Sequence, residues 1–162
     1  DGMIWKVTKM TEQTMEYARE VGVIPEVISS MEEAGWENGI EGFMATSDLQ
    51  RVAEYIDQYL PEIYYVNSEP GCVDIMASGV SKWRGIKILA ESLNIAHEDI
   101  LTVGNYYNDI DMLQHAGVGI AVANSLPEVK DVADFVTEYD NNHDAVAEII
   151  SKMLHHEYDM TK

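Results

Sequence analysis

From residue 80 onward the chain alternates helix-period and strand-like apolar runs, and few folds accept that alternation. Ile86, Leu89, Ala90 and Leu93 share one helical face, and Ile100 to Val103 make an apolar strand. A helix is expected from about Asn108 to His115, a strand from Val118 to Ala123, and a helix after Pro127. The strand "DFVT" and a last helix carrying Val146, Ile149, Ile150, Met153 and Leu154 complete the series. Short connections between near-continuous apolar strands require a parallel sheet with helices on its faces. The expected class is α/β, with a Rossmann-like sheet.

The residues before Gly79 follow a different pattern. Met10, Met15, Tyr17, Ala18 and Val21 fall mostly at helical spacing, and Val27, Ile28, Met31 and Ala34 predict a second short helix before the glycine-rich "AGWENGIEGF". Ser47 and Asp48 are candidate caps for a third helix, whose stripe of Leu49, Val52, Ala53, Ile56 and Leu60 ends at Pro61. "EIYYVNSEPGCVDIMA" reads as two strands about a turn at Asn67 to Gly71, the Met and Tyr residues there serving as packing. Two parts are therefore expected, a small α+β lobe over residues 1–79 and an α/β part over 80–162.

Charge narrows the function. With 29 acidic against 10 basic side chains, the formal net charge is −19, so the surface field repels phosphate backbones and anionic lipid headgroups. Nucleic acid and membrane are not expected partners. An anionic substrate would need a local cation, either a metal or convergent basic side chains. Cys72 is the single cysteine, which excludes an intrachain disulfide, fits a buried strand position and predicts a cytoplasmic location.

"LTVGNYYNDIDML" places two asparagines and two aspartates where a strand stops and a helix starts. In an open parallel sheet, ligands bind beyond the carboxyl ends of the strands, where helix N–H groups are also free. Asn105, Asn108, Asp109 and Asp111 could serve only as helix caps; their carboxylate and amide oxygens also suit a hard cation such as Mg²⁺. Lys82 opens the preceding helix, where its charge opposes the dipole. A solvated lysine is one reading, and a point charge for a phosphoryl group is the other. Arg84 and Lys87 read as solvent-facing.

"GVSKWRGIKILAESLNI", "ILTVGNYYNDIDML", "AGVGIAVANSLPEVKDVADFVT" and "DAVAEII" together resemble the C-terminal half of haloacid dehalogenase-like hydrolases of the Cof type, over roughly residues 62 to 150. Members of that family are mostly Mg²⁺-dependent phosphatases of small phosphorylated metabolites such as sugar phosphates. The resemblance makes residues 1–79 a portion of the inserted cap and residues 80–162 the C-terminal half of the core. It makes Lys82 the lysine that steadies the nucleophilic aspartate and the phosphoryl group. Asn105 then stands at a metal-ligating position and Asn108 contacts phosphate or substrate. Asp109 completes the Mg²⁺ site, often through water, while Gly104 and Asn124 support the loops.

Two departures accompany this resemblance. The family usually has Asp where Asn105 stands, and the exchange keeps an oxygen but removes a charge, so weaker metal binding is expected. No Asp-x-Asp-Gly-Thr stretch occurs, and "DG" at residues 1 and 2 does not replace it. The expectation is that the nucleophile lies in a segment preceding this chain, leaving the strand at Ile100 to Val103 with an open edge for that segment or another chain. The alternative is a catalytically inactive binding or assembly module on the same fold. A receiver-like domain is disfavoured, because Lys82 precedes the acidic loop and a cap-like lobe precedes both.

Overall fold

The computed structural model describes residues 4–35, 39 and 42–158, so Asp1, Gly2 and part of the glycine-rich stretch lie outside the described residues. Lys6–Val7 (β1) pairs in parallel with Glu26–Val27 (β2), and Glu12–Glu20 (α1) connects them. Thr11 caps α1 by accepting from the Thr14 N–H. The second short helix expected around Val27 to Ala34 is not formed as such. Glu26 N–H donates to Trp5 O and Ile28 N–H to Val7 O, which holds this segment extended, and only Met31–Ala34 turns, as a single 3₁₀ stretch. Its apolar spacing fits a helix, but backbone pairing with β1 prevails.

Phe43–Ala45 (β3), Leu49–Tyr59 (α2), Ile63–Glu69 (β4) and Cys72–Ala77 (β5) follow. The three strands form an antiparallel sheet in the order β3-β5-β4. The hairpin is tighter than expected: β4 runs through Asn67 to Glu69 with a bulge, and the turn is Pro70–Gly71, where Gly71 takes φ +81°. Asp48 occupies the N-cap of α2 in the left-handed region, without the side-chain cap bond expected of it. Ile56 is the buried residue of the α2 stripe.

After Gly79 the chain forms Lys82–Leu93 (α3), Leu101–Gly104 (β6), Ile110–His115 (α4), Val118–Ala121 (β7), Pro127–Lys130 (α5), Phe135–Val136 (β8) and Ala145–Leu154 (α6). The strands pair in parallel in the order β6-β7-β8, with Leu101 opposite Val118 and Ile120 opposite Phe135. This is the α/β part expected from the alternating pattern, each strand within a residue or two of its predicted place. Every residue of β7 is buried, as a central parallel strand covered on both faces should be. On one face Ile149 of α6 packs against Val118, Ile120, Leu101 and Val103. Leu113 of α4 joins Ala121 and Val129 in a second cluster, and Trp83 of α3 meets Met112 of α4 and Ala116, the residue that follows α4, in a third.

Close packing dictates two glycines. Gly119 lies under the Leu113 carbonyl and Gly117 under the Glu98 carbonyl, where any Cβ would overlap backbone atoms. On its other side β6 has no strand partner among the described residues. α3 leaves Ile88, Leu89 and Leu93 exposed, and α6 leaves Val146, Ile150 and Leu154 exposed. An open edge together with uncovered apolar helix faces is what a sheet shows when it can accept a further strand.

Candidate functional site

The site forms where β6 ends. Ser81, extended at φ −153°, caps α3 by accepting from the Arg84 N–H at 3.1 Å, so Lys82 is the first residue of the helix. A lysine there opposes the helix dipole, and an acceptor offsets that cost. Its Nζ donates to Asp109 Oδ1 at 2.5 Å, joining a half-exposed lysine side chain to a carboxylate side chain that is 5% exposed.

Asp109 ends the 3₁₀ turn Tyr107–Asp109 that links β6 to α4. Its other oxygen, Oδ2, accepts from the Asn105 N–H at 2.8 Å and the Tyr106 N–H at 3.3 Å. One buried carboxylate therefore closes the loop on itself and holds the lysine over it. Gly104 makes this possible, since a Cβ there would stand 2.8 Å from both Asp109 Cγ and Oδ2. The loops are cross-tied: Ser125 Oγ donates to the Gly104 carbonyl at 3.1 Å, and the Leu126 N–H to the Asn105 carbonyl at 3.3 Å.

A cavity of about 290 Å³ opens at this point, lined by Lys82, Gly104, Asn105 and Asp109 together with Asn141 and Val146. Of the residues singled out from sequence, Lys82, Gly104, Asn105 and Asp109 are thus brought together. Asn108 shares the 3₁₀ turn with Asp109 but is not among the lining residues. Asn124 does not line the cavity either. Its Nδ2 donates to Asn141 Oδ1 at 2.6 Å and its Oδ1 accepts from the Asn141 N–H at 3.3 Å, which fixes a residue that does.

Sequence reasoning missed Asn141 as a wall of the cavity, and missed Ser81 and Asp111 as partners. Ser81 Oγ donates to Asp111 Oδ2 at 2.5 Å, across 30 residues of chain. The polar run "DNNHD" was a usable signal for Asn141; nothing local pairs Ser81 with Asp111.

The donor set suits a hard cation only in part. Among the described residues no three His, Cys, Asp or Glu side chains gather as a metal shell. Asp109 already accepts three N–H bonds, and Asn105 offers one amide oxygen, whereas Mg²⁺ takes six oxygens. The remainder of such a shell would come from water and from carboxylates outside these loops.

A larger cavity, about 710 Å³, lies away from this chemistry between α2 and the antiparallel sheet, lined largely by Phe43, Val52, Tyr55, Ile56 and Ile75. Cys72 is buried, and burial, followed by the nearby Glu69 carboxylate, raises its thiol to about 11, which disfavours the nucleophilic thiolate. No helix among the described residues is long and apolar enough to cross a membrane.

A family profile described as haloacid dehalogenase-like hydrolase matches residues 6–150. YxeH of Bacillus subtilis, whose name describes a candidate phosphatase, is 35% identical over 108 residues, which are 66% of this chain and 40% of that protein. YcsE of the same organism, a 5-amino-6-(5-phospho-D-ribitylamino)uracil phosphatase, is 34% identical over 89 residues, 55% of this chain and 35% of that one. The solved structure of the sugar phosphatase BT4131, described as haloacid dehalogenase subclass IIB, superposes with a TM-score of 0.74 at 25% identity, covering 91% of this chain and 54% of that one. The chain thus spans about two fifths of the length of these curated relatives.

Proposed function

We propose, for a chain that belongs to the haloacid dehalogenase-like hydrolase family, that it supplies the lysine and acidic-loop half of a phosphatase active site. The complete protein would hydrolyse phosphomonoesters of small metabolites such as sugar phosphates, through a phospho-aspartyl intermediate. One observation carries this reading: an ammonium, a buried carboxylate and an amide side chain meet in a cavity at the carboxyl end of a parallel strand. The names of YcsE and BT4131 support the substrate class.

Each residue has a physical task. Lys82, half exposed, presents its charge to a phosphoryl oxygen and offsets the field of a protein carrying a net −19. Asp109 orients Lys82 and keeps the loop closed, while Asn108, expected to contact phosphate, sits on the same turn outside the cavity lining and is assigned no contact. Mg²⁺, held by the Asn105 side chain and through water by Asp109, would add positive charge where the transferring group gathers negative charge. The attacking aspartate would arrive on a strand laid along the open edge of β6, covering the apolar faces of α3 and α6. The proposed division into a cap portion (1–79) and half of the core (80–162) is supported by the strands, which among the described residues pair only within each part. A cytoplasmic site of action completes the proposal.

The test is phosphate release from p-nitrophenyl phosphate by the complete protein in the presence of Mg²⁺. Lys82→Ala should reduce kcat by about a hundredfold or more, the scale of losing one charge-stabilising group. Hydrolysis by the 162-residue chain alone, at the rate of the complete protein, contradicts the need for an outside aspartate.

A second reading, a binding or assembly module without catalysis, is favoured by Asn105 and by the lack, among the described residues, of three His, Cys, Asp or Glu side chains grouped to hold a metal. Asn105→Asp discriminates: it should tighten Mg²⁺ binding if a metal site exists, and leave it unchanged in a module without one.

A further inference from the structure

Three consecutive residues at the start of α3 each make a separate contact with the loop and helix that follow β6. Ser81 donates to Asp111 Oδ2, Lys82 donates to Asp109 Oδ1, and the Trp83 ring stacks on His115 at 5.8 Å between centroids. Asp111 is the hub of the outer two. Its Oδ2 holds Ser81 at 2.5 Å while its Oδ1 lies 3.1 Å from His115 Nδ1. Trp83 itself is buried against Met112 and Ala116. The first turn of α3 is thus pinned on both sides of Lys82, by a charge-assisted hydrogen bond before it and a packed ring after it.

The lysine side chain is long and half exposed, and its ammonium is held at one end by Asp109. Whether it reaches that carboxylate depends on where its backbone begins, and so on where residue 81 is held. We propose that Asp111 is a positioning residue for phosphoryl transfer: by holding Ser81 it sets the start of α3, and so places the Lys82 ammonium on Asp109 and over the cavity. This deepens the phosphatase reading and rests on it for its catalytic consequence, though not for its structural one.

The two duties of Ser81 can be separated. An aspartate at an N-cap accepts the Arg84 N–H about as well as a serine does. It cannot donate to Asp111, and two carboxylates at that distance repel. Ser81→Thr keeps both the cap and the donor. A residue that only caps the helix would tolerate Ser81→Asp and Ser81→Thr alike.

The experiment compares Ser81→Asp, Ser81→Thr, Asp111→Ala and Asp111→Glu in the complete protein by two readouts. The first is phosphate release from p-nitrophenyl phosphate. Ser81→Asp and Asp111→Ala should lower kcat about ten- to a hundredfold with KM little changed, the cost of a misplaced group that acts on the transferring phosphoryl. Ser81→Thr should retain activity, and Asp111→Glu should recover part of it. The second readout is the nitrogen-15 NMR signal of the Lys82 ammonium, recorded at neutral pH, where a solvated ammonium exchanges its protons too fast to be seen and a hydrogen-bonded one exchanges more slowly. It should persist in Ser81→Thr and vanish in Ser81→Asp and Asp111→Ala.

Equal kcat and equal ammonium signals in Ser81→Asp and Ser81→Thr overturn the proposal, as does a wild-type protein with no Lys82 signal. If the wild type releases no phosphate, the phosphatase reading fails, and the ammonium signals still decide whether Asp111 positions the lysine.

Discussion

Replacing Asp109 with Asn tests how much the site loop depends on one carboxylate. The exchange is nearly isosteric, so it creates no cavity and isolates the hydrogen bonding. Asp109 accepts from three donors with two oxygens, whereas Asn has one acceptor oxygen and an NH₂ group that must face a donor. The cheaper arrangement turns the NH₂ toward Lys82, whose half-exposed side chain can swing into solvent. Losing a pair that is exposed on one side costs about 0.5–1 kcal/mol. The two backbone N–H bonds survive but lose charge assistance, about 1 kcal/mol for the 2.8 Å bond and less for the 3.3 Å bond. The sum is about 2–3 kcal/mol. Urea unfolding of both proteins at pH 7 should show it as a lowered midpoint with an unchanged slope. Lys82→Met should cost about 1 kcal/mol or less, since it removes only the exposed part of the arrangement. An Asp109→Asn loss below about 0.5 kcal/mol, the scale of ordinary surface exchanges, would refute this reasoning. So would a Lys82→Met loss as large as that of Asp109→Asn.

Gly104→Ala should be more damaging, about 3 kcal/mol or more, because its Cβ meets a buried carboxylate that cannot move without breaking three hydrogen bonds. Amide exchange at Asn105 and Tyr106 should accelerate together in that variant. Asp144 sits at φ +63° before α6 and makes no side-chain cap bond. Asp144→Gly removes this left-handed strain and should be neutral or stabilising by up to about 1 kcal/mol in thermal unfolding. Partial burial by itself raises the Glu148 carboxyl, yet the Lys152 ammonium and the Glu138 and Tyr139 N–H groups outweigh it and hold the carboxyl below its ordinary value. Its folded value is thus depressed, so its contribution is complete above the unfolded carboxyl range and is lost as pH falls through the folded value. The stability gap between wild type and Glu148→Gln should be open at pH 7 and should close below about pH 4.5.

Local pattern revealed the elements that local interactions build. Ile86, Leu89, Ala90 and Leu93 repeat at helical spacing, and α3 forms there. β6 and β7 are apolar runs too short for helices, bounded by glycine and polar turns. That Lys82, Gly104, Asn105 and Asp109 share one cavity could be anticipated, because the strand-end loop and the helix start each concentrate their polar chemistry within a few residues. Long-range pairing was not legible. β3 spans only Phe43–Ala45 and depends on β5 for its identity, and Val27 is extended because Val7, 20 positions earlier, accepts from Ile28. The Ser81–Asp111 bond and the Asn124–Asn141 pair join residues 30 and 17 apart, and no spacing rule reports them. Asn108 shows the limit of reading a turn from its letters, since one residue of a 3₁₀ turn lines the cavity and its neighbour does not.

The most direct test is a crystal structure of the complete protein with Mg²⁺ and a phosphate mimic such as beryllium fluoride. The mimic should lie in the cavity at the end of β6 within hydrogen-bonding distance of the Lys82 ammonium, and an aspartate-bearing strand should be paired to the free edge of β6. A mimic bound elsewhere, with Lys82 turned to solvent and Asp109 unpaired, would contradict the account.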